Sequence, residues 1–270
     1  MPYVTIDGQP LHYIDQGSGP TVLLAGSYLW DQAMWAPQIA ALSQQYRVIA
    51  LDLWGHGQSG PLPVGTTSLD DLARQALVLL DHLDIERVTL VGLSVGGMWG
   101  VRLALSAAHR LNGLVLMDTY LGVEPEPTRQ YYFSLLKQIE EAGVITPALL
   151  DIIVPIFFRP GIDPQSPLYQ NFRAALAALP TDRLRESIVP MGRITFGRED
   201  FMARLGELDG ASTLVMCGDQ DVPRPPEEAR EMAELIGCPC VLVPEAGHIS
   251  SLENSGFVTA ALLQFLTART

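Results

Sequence analysis

Short apolar runs recur along the chain. They are TVLLAG (residues 21–26), YRVIALD (46–52), VTLVGL (88–93), GLVLMD (113–118), TLVMCG (213–218) and CVLVPE (240–245). Rich in Val, Leu and Ile with little polar alternation, they have the pattern of strands buried on both faces. Helical periodicity fills several of the gaps between them. Its clearest stretch carries Leu69, Leu72, Ala73, Ala76, Leu79, Leu80 and Leu83 on one stripe, opened by Ser68 with Asp71 three residues on. That is a capping box leading into an amphipathic helix. Strands alternating with helices predict a mostly parallel sheet covered on both faces. Near the start, YVTI and LHYI flank Asp7-Gly8-Gln9-Pro10 and predict an edge hairpin.

The alternation breaks once. Residues 121–196 lose the strand pattern and gain proline, arginine and helical stretches such as TRQYYFSLLKQIEEAG and YQNFRAALAAL. The expected organisation is one α/β core from residues 1–120 and 197–270, with a helical insertion at 121–196 after the sixth core strand.

With 270 residues, 48% hydrophobic and 17% charged, the chain can bury a full core without staples. Its net charge of −13 argues against nucleic acid or an anionic membrane as a partner. No apolar run reaches the roughly 20 residues of a membrane span. The opening MPYVTIDGQPLHYIDQG has neither a basic region nor an apolar core, so the expected location is cytoplasmic. Cys217 lies in a strand pattern as a small buried side chain. Cys238 and Cys240, two apart, point to opposite faces of a strand and make a poor bridge. No metal-ligand set stands out, and no cofactor is expected. The oligomeric state has no signature in the sequence.

One serine stands at the seam of a strand and a helix. Ser94 in GLSVG follows the run 88–93 and precedes Met98, Val101 and Leu105 at helical spacing. A serine there is commonly a helix N-cap. It also lies at the carboxyl end of a strand, where open α/β sheets hold their ligands. Gly92 and Gly96 permit a sharp turn, and the helix N-terminus favours a negative oxygen. A serine hydroxyl needs a base oriented by a third group to act as a nucleophile. His12 on an edge strand, His82 on the striped helix and His109 at a helix end have structural explanations. His248, in VPEAGHISSLE, follows the last strand and is the preferred base, with His56 of DLWGHGQSG as runner-up. Position alone leaves four acids: Asp52, Asp118, Asp219 and Asp221.

These motifs together resemble the α/β-hydrolase superfamily over essentially the full length, in the branch of small esterases, enol-lactonases and C–C-bond hydrolases. The order Ser94, acid, His248 is similar to the family's. GDQD at 218–221 resembles the family's G-x-x-D, which implies Asp221 as the acid. DLWGHGQS resembles a turn with a scaffold role, which demotes Asp52 and His56. The insertion resembles the family's helical cap. The family usually has His-Gly where this chain has Ala25-Gly26, so the oxyanion loop departs from the pattern. The resemblance implies an oxyanion hole from the N–H groups of Ser27 and Val95.

The expected function is a serine hydrolase of a small-molecule ester, with lactones and thioesters as further options. Ser94, His248 and Asp221 would form the triad, without metal or cofactor. Tyr28, Trp30, Trp54 and Met98 are the candidate pocket residues, and their apolar character favours an uncharged acyl part. The same constellation also suits C–C bond hydrolysis, enol-lactone opening or perhydrolysis. A non-catalytic receptor on this fold is the rival from another class.

Overall fold

A computed structural model describes residues 2–268. Eight strands form one sheet: β1 (Tyr3–Ile6), β2 (Gln9–Gln16), β3 (Thr21–Ala25), β4 (Arg47–Leu51), β5 (Val88–Leu93), β6 (Leu111–Met117), β7 (Thr213–Gly218) and β8 (Cys240–Val243). Their spatial order is β1-β2-β4-β3-β5-β6-β7-β8. The hairpin pairs β1 with β2, and β2 runs antiparallel to β4; from β4 onward every pairing is parallel. Asp7 and Gly8, with φ of 48° and 80°, make the two-residue turn whose twist suits a hairpin. The turn is two residues shorter than the sequence suggested, because Gln9 and Pro10 already pair with β1.

Helices α1 (Ala36–Leu42), α2 (Leu69–His82) and α3 (Val95–Ser106) connect the first strands. Ser68 and Asp71 form the capping box in full: each side chain accepts the other's backbone N–H. The apolar stripe of α2 packs inward, with Leu79 and Leu80 wholly buried. β5 is buried along its whole length, as its unbroken apolar run requires when helices cover both faces.

Among the described residues, no strand lies between β6 and β7. That stretch holds α4 (Glu126–Ala142), α5 (Pro147–Ile153), α6 (Pro167–Ala177) and the one-turn α7 (Thr181–Arg183). A π-helical turn, Leu184–Ile188, then leads into α8 (Val189–Phe196). Proline at the second position of α4 and the first of α5 and α6 fits helix starts, where its missing N–H costs nothing. The chain closes with α9 (Pro226–Ile236), α10 (Ser250–Glu253) and α11 (Ser255–Thr267). No helix among the described residues is long and apolar enough to cross a membrane. All three cysteines are free thiols.

Candidate active site

β5 hands over to α3 through a turn that only small neighbours permit. A Cβ on Gly92 would lie 2.5 Å from the carbonyl of Gly96, and one on Gly96 would lie 2.3 Å from the Ala25 oxygen. Squeezed between them, Ser94 takes φ 56° and ψ −120°. Such a backbone costs a non-glycine residue about 1–3 kcal/mol. It is pinned by its N–H donating to the Met117 oxygen at 2.9 Å and by its carbonyl accepting from Thr119 Oγ1 at 2.7 Å. The Ser94 side chain makes no capping bond to α3, so the ordinary role of a serine before a helix is unfilled.

The hydroxyl points elsewhere. Ser94 Oγ lies 3.0 Å from His248 Nε2, and His248 Nδ1 lies 2.9 Å from Asp221 Oδ2. A carboxylate on Nδ1 keeps the ring proton there and leaves the Nε2 lone pair for the serine hydroxyl. Asp221 Oδ1 accepts the Arg224 N–H at 3.0 Å, which fixes the carboxylate plane. All three side chains are buried. Turns after β5, β7 and β8 thus meet at the carboxyl end of the sheet.

The other candidate acids are engaged elsewhere. Asp118 Oδ1 accepts the Gly218 N–H at 2.7 Å, and its Oδ2 accepts the Ser250 hydroxyl. Burial first, and then the Asp221 charge, push its carboxyl well above the usual range. Asp219, at the surface, accepts among the described residues only the Ala246 N–H. Asp52 pairs with His12 Nδ1 at 2.7 Å and accepts the N–H groups of Gln32 and Gln58. That pair ties the turn after β4 to β2. Asp118, Asp221 and Cys217 are close enough together to resemble a metal-ligand set, but protein hydrogen bonds occupy both carboxylates. Burial keeps the Cys217 thiol protonated.

His56 holds a loop rather than a proton for the reaction. Its Nδ1 donates to the Trp54 oxygen at 2.9 Å, and its Nε2 accepts the Leu29 N–H at 2.9 Å. The ring must be neutral to do both, and burial lowers its pKa to about 4. The braced segment is the loop after β3, where the Ala25 side chain cannot hydrogen-bond and Leu29 sits at φ 68°.

That loop corrects one expectation. The Ser27 N–H is directed at Met34 Sδ, 3.3 Å away, and so is turned from the hydroxyl of Ser94. Among the described residues no group accepts the N–H of Tyr28 or of Val95. Tyr28, which lines the cavity over Ser94, and Val95, the first residue of α3, thus have N–H groups open to a ligand. The Ser27 N–H is drawn off by Met34 and the loop is held by His56, neither of which the local sequence reveals.

A cavity opens over Ser94 and His248. Met98, Leu135, Leu136, Ile139, Ile153 and Phe157 give it an apolar wall. Tyr28 and Met98 line it as expected. Trp30 and Trp54 do not. Trp54 turns under α2, where Gln75 Oε1 accepts its indole N–H at 2.7 Å. Trp30 stacks on Phe172, with ring centres 4.1 Å apart, and anchors the loop against α6. Glu124, Tyr132 and Arg224 also line the cavity and were not foreseen. Arg224, between prolines three residues beyond Asp221, was the one available signal. Glu124 and Tyr132 reach the site only through the packing of the inserted helices.

A family model described as the alpha/beta hydrolase fold matches residues 11–142. A solved thermophilic esterase from Thermogutta terrifontis, with malate bound, superposes with a TM-score of 0.88 at 27% identity over 100% of both chains. The chain belongs to the α/β-hydrolase superfamily. This α/β-hydrolase is 28% identical to 3-oxoadipate enol-lactonase 2 of Acinetobacter baylyi, over 88% of its own length and 85% of that protein. It is 30% identical, over 93% of its length, to the dihydrolipoyllysine-residue acetyltransferase component of the acetoin cleaving system of Pseudomonas putida. It spans 64% of that protein's length.

Proposed function

We propose that the protein is a serine hydrolase that cleaves a small carboxylic ester through an acyl-enzyme on Ser94. The observation that carries this is the continuous hydrogen-bond line from Ser94 Oγ through His248 to Asp221. His248 Nε2 takes the hydroxyl proton as Oγ attacks the ester carbonyl. The Tyr28 and Val95 N–H groups hold the oxygen that becomes negative, at the N-terminus of α3. The tetrahedral adduct collapses, the C–O bond to the alcohol breaks, and His248 returns the proton to the departing oxygen. Water, deprotonated by the same imidazole, then releases the acid and restores Ser94. Asp221 holds the ring and stabilises its cationic form throughout.

A lactone is an internal ester, opened by the same steps, with the alcohol staying attached to the acyl part. The similarity to an enol-lactonase supports including lactones in the substrate class. The rival of a non-catalytic receptor is disfavoured by the strained serine: a binding protein gains nothing from holding Ser94 at φ 56° with its hydroxyl on an imidazole nitrogen.

Turnover of 4-nitrophenyl butyrate by wild type and Ser94→Ala tests the reading. Ser94→Ala should lower kcat by a factor on the order of 10⁴ to 10⁶. Near-wild-type turnover by a well-folded Ser94→Ala protein would overturn it.

A further inference from the structure

The catalytic cavity is apolar along most of its wall but charged at one end. Arg224 and Glu124 both line it. Glu124 Oε2 accepts from Arg224 Nη2 at 2.8 Å, and Oε1 accepts from Arg198 Nη1 at 2.7 Å. All three side chains are at least nine-tenths buried. Two guanidiniums therefore share one carboxylate. Burial opposes ionisation of Glu124, but the two arginines outweigh it and hold its carboxyl below the usual range.

This cluster has spare donor capacity. Arg224 Nη1 is buried and has no acceptor among the described residues. Glu228, 3.6 Å from Arg224 Nε, is pushed by burial up to about 7, so it supplies only part of a second negative charge at neutral pH. Tyr132 belongs to the same cavity wall, and burial first, then the Glu124 charge, pushes its phenol hydroxyl above the usual range. No hydrogen bond within the protein uses that hydroxyl among the described residues. An excess cation with an unmet donor is costly inside an apolar cavity unless an anion completes it. The fork of an arginine suits a carboxylate.

We infer that Arg224 and Tyr132 form a subsite for a carboxylate carried by the substrate, so that the preferred esters or lactones are those of carboxylate-bearing molecules with an apolar middle. This rests on the serine-hydrolase reading and deepens it. It also departs from the uncharged acyl part that the apolar sequence favoured. The chain's net charge of −13 repels anions at long range. That field is screened within about 10 Å at 0.1 M salt, whereas a buried contact pair is not.

The test compares kcat/KM at 0.1 M salt for 4-nitrophenyl hemiglutarate and neutral 4-nitrophenyl valerate. A second pair of methyl butyrate-type esters carries the carboxylate, or a neutral methyl group, on the alcohol. In at least one pair the anionic ester should lead by about 10- to 100-fold, the usual worth of a charge-assisted hydrogen bond. Arg224→Gln should remove most of that ratio, Arg224→Lys should restore part of it, and Tyr132→Phe should lower it by a few-fold. The ratio is read within each protein, so a general loss of activity does not imitate the effect. If Arg224→Gln does not fold, the wild-type ratio and Tyr132→Phe still decide. A neutral preference in both pairs, or an anionic preference untouched by these substitutions, would overturn the subsite. Failure of folded wild type to hydrolyse any ester would instead remove the function on which it rests.

Discussion

Replacing His56 by leucine, which offers no acceptor to the Leu29 N–H and does not titrate, probes the brace behind the oxyanion loop. In the native protein the buried imidazole accepts the Leu29 N–H at 2.9 Å and is neutral, with its pKa lowered to about 4 by burial. At pH 7.5, losing the acceptor for a sequestered N–H should cost about 1–3 kcal/mol of stability. The pH dependence is the sharper signature. The folded pKa lies below the value of about 6.5 expected in the unfolded chain, so between those values the unfolded chain binds more protons. The stability that neutral His56 contributes is complete above about pH 6.5 and is lost as pH falls towards 4. From 6.5 and 4, the loss at pH 5 is about 2 kcal/mol. The variant lacks this titration, while the other ionisable groups are common to both proteins and cancel in the difference. Urea unfolding of both proteins at pH 7.5 and pH 5 should show the wild-type advantage shrinking by about 2 kcal/mol. Ester turnover by the variant at pH 7.5 should fall about tenfold or more, because a displaced oxyanion donor weakens transition-state stabilisation. An advantage that does not change between the two pH values would refute the buried neutral acceptor.

Asp221→Asn should lower kcat by about 10⁴ by disturbing the tautomer of His248. Asp118→Asn, whose carboxylate contacts Gly218 and Ser250 instead, should lower it far less; the reverse order in steady-state kinetics would reassign the acid. Gly92→Ala places a Cβ 2.5 Å from backbone atoms of Gly96 and Gly97 and should destabilise the fold by about 3 kcal/mol or more. A urea-derived loss under about 1 kcal/mol would show that the elbow relaxes easily.

The parallel core was legible because strands buried on both faces carry apolar runs that solvent-facing strands lack. β5 and β7 were bounded to the residue. The ends of β4 and β6 moved by one or two positions where polar residues such as Arg47 and Asn112 lie at the sheet margin. Ser94 and His248 stood out for a topological reason: each follows a strand, and parallel strands deliver their carboxyl ends to one edge. Position left Asp221 among four acids, and only the resemblance of GDQD to the family's G-x-x-D singled it out. Residues whose role depends on three-dimensional packing were not legible. Trp30 and Trp54 lie in sequence beside site loops, yet their indoles are drawn off by Phe172 and Gln75. The Ser27 amide is turned towards Met34 by a loop that His56 holds from another connection. Glu124 and Tyr132 enter through the inserted helices, whose docking leaves no mark in the local pattern.

The central claim is that Ser94 is the nucleophile and that two backbone amides receive the developing charge. A crystal structure of the protein after reaction with a fluorophosphonate measures both at once. The account predicts one phosphonyl group bonded to Ser94 Oγ, with its oxygen about 3 Å from the Tyr28 and Val95 nitrogens. An adduct on another residue, folded protein that takes up no label, or a phosphonyl oxygen turned away from both amides would contradict it.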